Sequence, residues 1–265
     1  MSTQLPDEVQ VTSHGAVRII TLNRGEHRNA VNAKMHHGLT EVWRQVAADP
    51  DARAVVLTGV GSNFCAGGDF EFMQESQDPH GRWRVMEEGR QIITEMLRFP
   101  LPVVAAVNGP AVGLGCSLAV LCDIVLIADS AHLADPHVLV GLVAGDGGAA
   151  MWPAHTSMLR AKEFLLTGDR ICAPDAVSMG LANHVVPDAE LQDRAMALAQ
   201  RLAQVPARAV QDTKRALNMH LEQAITGPMN FAIAAERYSM ADAPHVAFVE
   251  AQAARRAERA QVRET

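Results

Sequence analysis

Residues 102–129 read PVVAAVNGPAVGLGCSLAVLCDIVLIAD, and the rest of the chain has to be arranged around them. Val103 to Val107 is a short β-branched, apolar run, the pattern of a strand buried on both faces. Asn108-Gly109-Pro110 breaks it. Gly113-Leu114-Gly115 follows, and from Cys116 small and apolar residues continue as a buried helix that Asp123 closes. Ile124 to Ala128 is then a second buried strand. A glycine pair at the mouth of a helix lets the backbone approach a ligand with no Cβ in the way. The first amides of that helix are unpaired and lie at the positive end of its dipole. Such an entry suits an oxyanion, although taken alone it is more often only a tight turn.

Composition narrows the classes. The chain has 265 residues, 48% of them hydrophobic, enough for a large core in one domain or two. A net charge of −7 argues against nucleic acid or an anionic membrane as the main partner. Cys65, Cys116, Cys122 and Cys172 form no CxxC pair and fall in or beside apolar runs, so they are expected as reduced core residues of a cytoplasmic protein. Met1 to Gln10 is polar and acidic, unlike a signal peptide. Asn108, Pro110 and Asp123 interrupt the central apolar stretch, so no membrane span is expected.

Working outward, Val9 to Ser13 and Ala16 to Leu22 flank His14-Gly15 as a β-hairpin. Asn23 to Ala30 is a polar loop. Asn32 is placed to cap a helix over Ala33 to Ala48, with Leu39, Val42, Trp43 and Val46 on one face. His36-His37 invites a metal reading, but adjacent helical residues point in different directions, so two surface histidines and no metal are expected. Ala54 to Thr58 is a third buried strand, running into the glycine-rich turn Gly59 to Asp69. Residues 71 to 80 show no period and suit a mobile lid before a helix over Arg82 to Arg98. Strand, glycine loop and helix thus occur twice, the pattern of a layered α/β domain with its ligand at the strand ends. Walker A, dinucleotide GxGxxG, HExxH and GxSxG motifs are absent. After Pro187, four amphipathic helices are expected over 189–203, 207–221, 229–240 and 244–260, with breaks at Pro206, Gly227-Pro228 and Pro244.

NFCAGGD (63–69) and AAVNGPAVGLGCSLAVLCDIVLIAD (105–129) together resemble the crotonase, or enoyl-CoA hydratase/isomerase, superfamily. LNRGEHRNAVN (22–32) and FLLTGDRICAPDAVSMGLANHVVP (164–187) are similar to the same pattern. The resemblance implies an α/β spiral of repeated ββα units over residues 1 to 190. It implies a C-terminal helical region over 191 to 265 that makes a homotrimer or a dimer of trimers. The implied substrate is an acyl-CoA thioester, with coenzyme A carried on the substrate and no tightly bound cofactor. The implied oxyanion donors are the N–H groups of Gly68 and Leu114, the second a glycine in many relatives. Implied CoA contacts are Arg28, Ala30, Ala66, Asp69 and Phe70, with Phe248 similar to the aromatic that reaches a neighbouring protomer's CoA.

The acid–base residues depart from the pattern. Family hydratases use two glutamates, and the aligned positions here are Ser117 and His137. His137 and Asp146 are therefore the candidate proton-transfer pair: a carboxylate on one imidazole nitrogen would fix the tautomer and raise the basicity of the other, with an ionisation near neutrality. Alternatively, Asp146 caps a helix starting near Gly147 and His137 is a core histidine. The His/Asp pattern is also similar to 6-oxocamphor hydrolase, a crotonase relative that cleaves β-diketones. The expected activity is an enoyl-CoA hydratase-type lyase or isomerase working through an enolate. The alternatives are a β-diketone C–C hydrolase and a catalytically silent acyl-CoA-binding module.

Overall fold

A computed structural model describes residues 4–264, with side chains to residue 258. In chain order the elements are β1 (Val9–His14), β2 (Val17–Leu22), α1 (Ala33–Ala47), β3 (Ala54–Gly59), α2 (Phe70–Glu75), α3 (Pro79–Arg98), β4 (Val103–Val107), β5 (Ala111–Val112), α4 (Leu114–Val120), β6 (Ile124–Ala128) and β7 (His132–Ala134). Then come α5 (Gly148–His155), α6 (Met158–Thr167), β8 (Ile171–Cys172), α7 (Ala173–Met179), β9 (His184–Val186), α8 (Leu191–Gln204), α9 (Ala207–Ser239) and α10 (Ala243–Glu264).

The hairpin β1–β2 is antiparallel, and the six-stranded sheet β1-β2-β3-β4-β6-β9 is parallel from β2 onward. A smaller sheet, β5-β7-β8, lies beyond the strand ends. All residues of β3 and β4 are buried, as their uninterrupted apolar composition requires. Helix α8 packs across β2, β3, β4 and β6, and Leu191, Ala195 and Ala199 join the same core as the strands. Helix α1 packs on α3, α3 on α9, and α9 on α5. Trp43 of α1 is buried edge-on to Phe99, ring centroids 5.3 Å apart. No helix among the described residues is long and apolar enough to cross a membrane.

The parallel register sets the position of the two glycine loops. Thr58 lies opposite Ala106, so β3 and β4 end together and their loops leave one edge of the sheet. Polar side chains then staple the loops. Asn108 donates from Nδ2 to the Gly59 (2.8 Å) and Gly61 (2.7 Å) carbonyls and accepts from the Gly59 amide (3.1 Å). Asn29, fully buried, donates to the carbonyls of Val60 (2.9 Å) and Asn63 (2.7 Å) and accepts from the Arg24 amide (2.9 Å). Its backbone is left-handed at φ 54°, a conformation that asparagine tolerates better than most residues.

Four expectations need correction. Residues 71 to 80 do not form an irregular lid: Asp69 caps the short α2, and Asp78 caps α3, which begins at Pro79 rather than near Arg82. Proline at the first helical position costs no hydrogen bond. Gly227-Pro228 does not break the C-terminal helix, since α9 runs through it with Ile225, Met229 and Ala232 buried on either side. Packing outweighs the single backbone bond that proline removes. His36 is not a surface residue but is buried against Phe72. Cys172 is exposed, while Cys65, Cys116 and Cys122 are buried, and all four are free thiols.

Removing the Asn29 staple should be costly, because three backbone groups lose the partner that one fully buried side chain supplies. Asn29→Ala should lower stability by ~2–4 kcal/mol, read as a shift of the denaturant midpoint at constant slope.

Candidate active site

The two loops touch along their length. Ala66 N–H donates to the Arg28 carbonyl (3.1 Å), Val31 N–H to Gly67 (2.8 Å) and Asp69 N–H to Val31 (2.8 Å), so residues 28–31 run alongside 66–69. Across the other side, Cys65 N–H donates to Pro110 (3.0 Å) and Val112 N–H to Cys65 (2.9 Å). Gly67, at φ 84°, lies so close that a Cβ would stand 3.0 Å from the Val112 carbonyl oxygen. Gly115 is needed for packing: a Cβ there would be 2.5 Å from the Cys65 carbonyl oxygen, so its freedom serves the neighbouring loop rather than a ligand. Gly113, left-handed at φ 55°, turns the chain into α4 and leaves Leu114 as its first residue.

The N–H groups of Gly68 and Leu114 have no acceptor among the described residues, and both residues line one cavity of about 80 Å³. His137, Asp146 and Glu236 line it as well. A larger groove of about 470 Å³ lies between α8, α9 and the end of α4, away from these groups.

His137 opens a single 3-10 turn (His137–Val140) after β7. Its Nδ1 is hydrogen-bonded to Asp135 Oδ1, and its Nε2 stands 3.4 Å from Asp146 Oδ2 and 3.9 Å from Glu236 Oε1. The orienting carboxylate is therefore Asp135, not Asp146, which faces the opposite nitrogen. Asp135 is fully enclosed, with Oδ2 unpartnered against Gly148, where a Cβ would be 1.9 Å away. That oxygen faces the positive end of α5, which suits an anion. Asp146 does not cap α5, whose N-cap is Gly147 with no side-chain bond. Ser117 lies beneath Asp146, Oγ to Oδ1 at 3.4 Å. Glu236, on α9, accepts from the Gly145 amide (3.0 Å).

Burial alone would lower the His137 pKa, but Asp135 and Asp146 more than reverse this and hold it well above its ordinary value. The two carboxylates thus favour the charged form of the ring. A second group is raised toward neutrality: the Glu236 carboxyl is pushed up to about 8 by burial and by Asp146 and Asp135, with His137 pulling the other way. Sequence reading missed both Asp135 and Glu236. Ligand atoms of Asp135, His137 and Asp146 lie within 4.8 Å of one another. Each ring nitrogen faces a carboxylate, so the group is also placed to pass a proton from one acid to the other.

The remaining implied contacts sit at the rim. Arg28 is exposed on a left-handed backbone, and Ala30 and Ala66 are half-buried. The Asp69 carboxylate caps α2 and pairs with Arg24 (2.9 Å). Phe70 packs on Phe248 of the same chain, centroids 6.0 Å apart, and Arg256 pairs with Glu71 at 3.5 Å.

Comparison with known proteins gives the family. The family profile described as enoyl-CoA hydratase/isomerase matches residues 12–253. The chain belongs to the enoyl-CoA hydratase/isomerase family. It is 35% identical to an (E)-benzylidenesuccinyl-CoA hydratase of Thauera aromatica over 80% of this chain and 82% of that protein. A solved enoyl-CoA hydratase/isomerase of Mycobacterium paratuberculosis superposes with TM-score 0.91 at 49% identity, covering 94% of this chain and 99% of the other. A β-diketone hydrolase of Anabaena sp. PCC 7120, solved with (S)-3-oxocyclohexyl acetic acid, superposes with TM-score 0.83 at 25% identity over 89% and 95% of the two chains. The protein is thus an enzyme of the enoyl-CoA hydratase/isomerase type.

The raised Glu236 carboxyl has a consequence for stability. Unfolded, the group titrates near its ordinary 4.5; folded, it keeps its proton to about 8. Its contribution is therefore fully present below 4.5 and is lost as pH rises to about 8. The loss runs at up to ~1.4 kcal/mol per pH unit. Glu236→Gln cannot titrate, so its stability should gain on the parent between pH 5 and pH 8 in denaturant titrations. A constant difference across that window would contradict the assignment.

Proposed function

We propose that the protein adds water across the double bond of a short α,β-unsaturated acyl-CoA thioester, or removes it in reverse, through an enolate. The observation that carries this reading is the single cavity lined both by two unpaired backbone amides and by the Asp146–His137–Glu236 group. The thioester oxygen accepts from the Gly68 and Leu114 N–H groups, which stabilise the charge developing on it. Asp146 takes the proton of the attacking water, and Glu236, protonated at neutral pH, delivers one to the α-carbon. His137 Nε2, between the two carboxylates, returns the proton and holds their charges apart. The cavity volume of about 80 Å³ supports a short acyl group. The relatives named for CoA substrates support the thioester, with coenzyme A arriving on the substrate past Arg28, Ala30, Ala66, Asp69 and Phe70. We assign assembly to 191 to 265, with a trimer or dimer of trimers formed by the C-terminal helices of a cytoplasmic protein. The apolar groove that includes Val205, Leu217 and Leu221 supports it.

Cleavage of a β-diketone by water is the second reading, favoured by the imidazole flanked by carboxylates. The same amides and the same base would serve it. Incubation with enoyl-CoA esters and with β-diketones, followed by mass spectrometry, separates the two: a gain of water without fragmentation supports hydration, and fragmentation supports C–C hydrolysis.

Leu114 starts α4, a position where proline is tolerated, so Leu114→Pro removes the amide while keeping the helix. Turnover should fall by ~10²-fold or more, whereas Leu114→Gly, which keeps the amide, should retain most of it. Equal loss in both would mean that the leucine side chain is what matters.

Asp146→Asn and His137→Ala should each lower kcat by ~10²-fold or more, and the double variant should be little worse than either. The pH profile of kcat/KM should decline on the alkaline side near pH 8, where Glu236 loses its proton. If Asp146→Asn lowers only the Tm, Asp146 is not the base. Sedimentation at micromolar concentration should return a trimer or hexamer, and a monomer would refute the assembly.

A further inference from the structure

A second histidine lines the same cavity without a part in the proton chain. His36, on α1, is 3% exposed and packs against Phe72 with ring centroids 5.1 Å apart. Its Nδ1 donates to Glu88 Oε2 on α3 at 2.7 Å, while His37 reaches the other oxygen at 3.3 Å. Burial works against the Glu88 carboxylate, but the hydrogen bonds from the two histidines bring it below its ordinary range. Glu88 thus fixes the ring of His36, with Nδ1 as donor. Nε2 lies on the far side of the ring, makes no hydrogen bond among the described residues and, unlike Nε2 of His245, is not fully enclosed. Apart from His137, Asp146 and Glu236, the side chains that line the cavity with it are largely apolar, among them Phe72, Met73, Val85, Met86 and Met240. The other hydroxyl there, Ser76, is already committed to the Phe72 carbonyl (2.7 Å).

A rigidly held imidazole nitrogen that is open to the cavity can hydrogen-bond to water there, and a ligand that displaces the water loses free energy unless it supplies the bond in turn. Packing alone would have been better served by a phenylalanine or leucine at this position. We propose that His36 is a specificity-determining contact, and that the acyl group accepted here carries its own oxygen function, a hydroxyl or carbonyl, that hydrogen-bonds to Nε2. This rests on the thioester reading above and narrows it from enoyl esters in general to oxygenated ones. A site built around such a bond rejects the analogue that lacks it more strongly than an apolar pocket rejects a missing methylene.

The test is equilibrium binding by calorimetry of four saturated esters: butanoyl-CoA, 3-hydroxybutanoyl-CoA, 4-hydroxybutanoyl-CoA and 3-oxobutanoyl-CoA. At least one oxygenated ester should bind the parent protein tenfold or more tightly than butanoyl-CoA. His36→Phe keeps the ring and the contact with Phe72, and should bring that ratio close to one. A hydroxyl preference identifies Nε2 as acceptor, and an oxo preference identifies it as donor. Should the variant not fold, the imidazole ¹⁵N resonance of His36 in the parent replaces it, and must move with the oxygenated ester but not with butanoyl-CoA. Equal affinity of the parent for all four esters, or a ratio that survives in His36→Phe, overturns this proposal alone. Failure to bind any of them overturns the thioester reading and this proposal with it.

Discussion

Two backbone N–H groups on different loops have to point at one small volume, and most of the polar chemistry of this chain goes into holding them there. A lone amide at a helix start is common; a matched pair is not. The parallel register of β3 and β4 brings both loops to one sheet edge. Three short backbone runs then lock residues 28–31, 65–69 and 110–112 side by side. Asn29 and Asn108 fill the polar vacancies behind them, and the Arg24–Asp69 pair closes the rim. Because the amides belong to the backbone, side chains at Gly68 and Leu114 are free to be chosen for the pocket.

The second constraint is electrostatic. Asp135, Asp146 and Glu236 are three acids brought together out of water, an arrangement that is unfavourable unless charge is neutralised. One imidazolium serves all of them: Asp135 on Nδ1, Asp146 and Glu236 near Nε2. The remaining excess is relieved by leaving a proton on Glu236. The same arithmetic that makes the cluster tolerable therefore divides its roles, since one carboxylate is paired with a cation and another holds a proton at neutral pH. Environments that push two acids apart in this way are a general means of obtaining an acid and a base from one residue type.

What could be read from the sequence was whatever depended on neighbours along the chain. The strands Val103–Val107 and Ile124–Ala128, the hairpin about Gly15 and the Asn32 cap all follow from local pattern, and the structure has them. Residues 71–80 failed because short, capped helices carry too few apolar positions to show a period. Pro228 failed because the packing of α9, which keeps the helix intact, is invisible locally. Glu236 is the sharper case. In an Ala- and Arg-rich helix it looks like any solvated charge, and only the closing of α9 onto α5 and the Gly145 amide turns it inward. Asp135 was passed over because His137 and Asp146 already made a complete pair on paper. His36 was misjudged for a similar reason: its partner Glu88 lies on another helix.

The placement of Glu236 changes what the C-terminal helices are for. Read by composition they are assembly elements, yet α9 carries a carboxylate into the cavity and α10 packs His245 under the turn that holds His137, with Nδ1 donating to the Val140 carbonyl at 2.8 Å. A helix that contributes a catalytic-cavity carboxylate cannot be free to fray or bend, which explains why proline at 228 is flanked by buried Ile225 and Met229 rather than left at a solvent-exposed kink. The two carboxylates that face His137 Nε2 thus come together in space from distant parts of the sequence. One carboxylate follows the loop after His137, the other comes from the far end of the chain, and the histidine between them does the work of holding both in register.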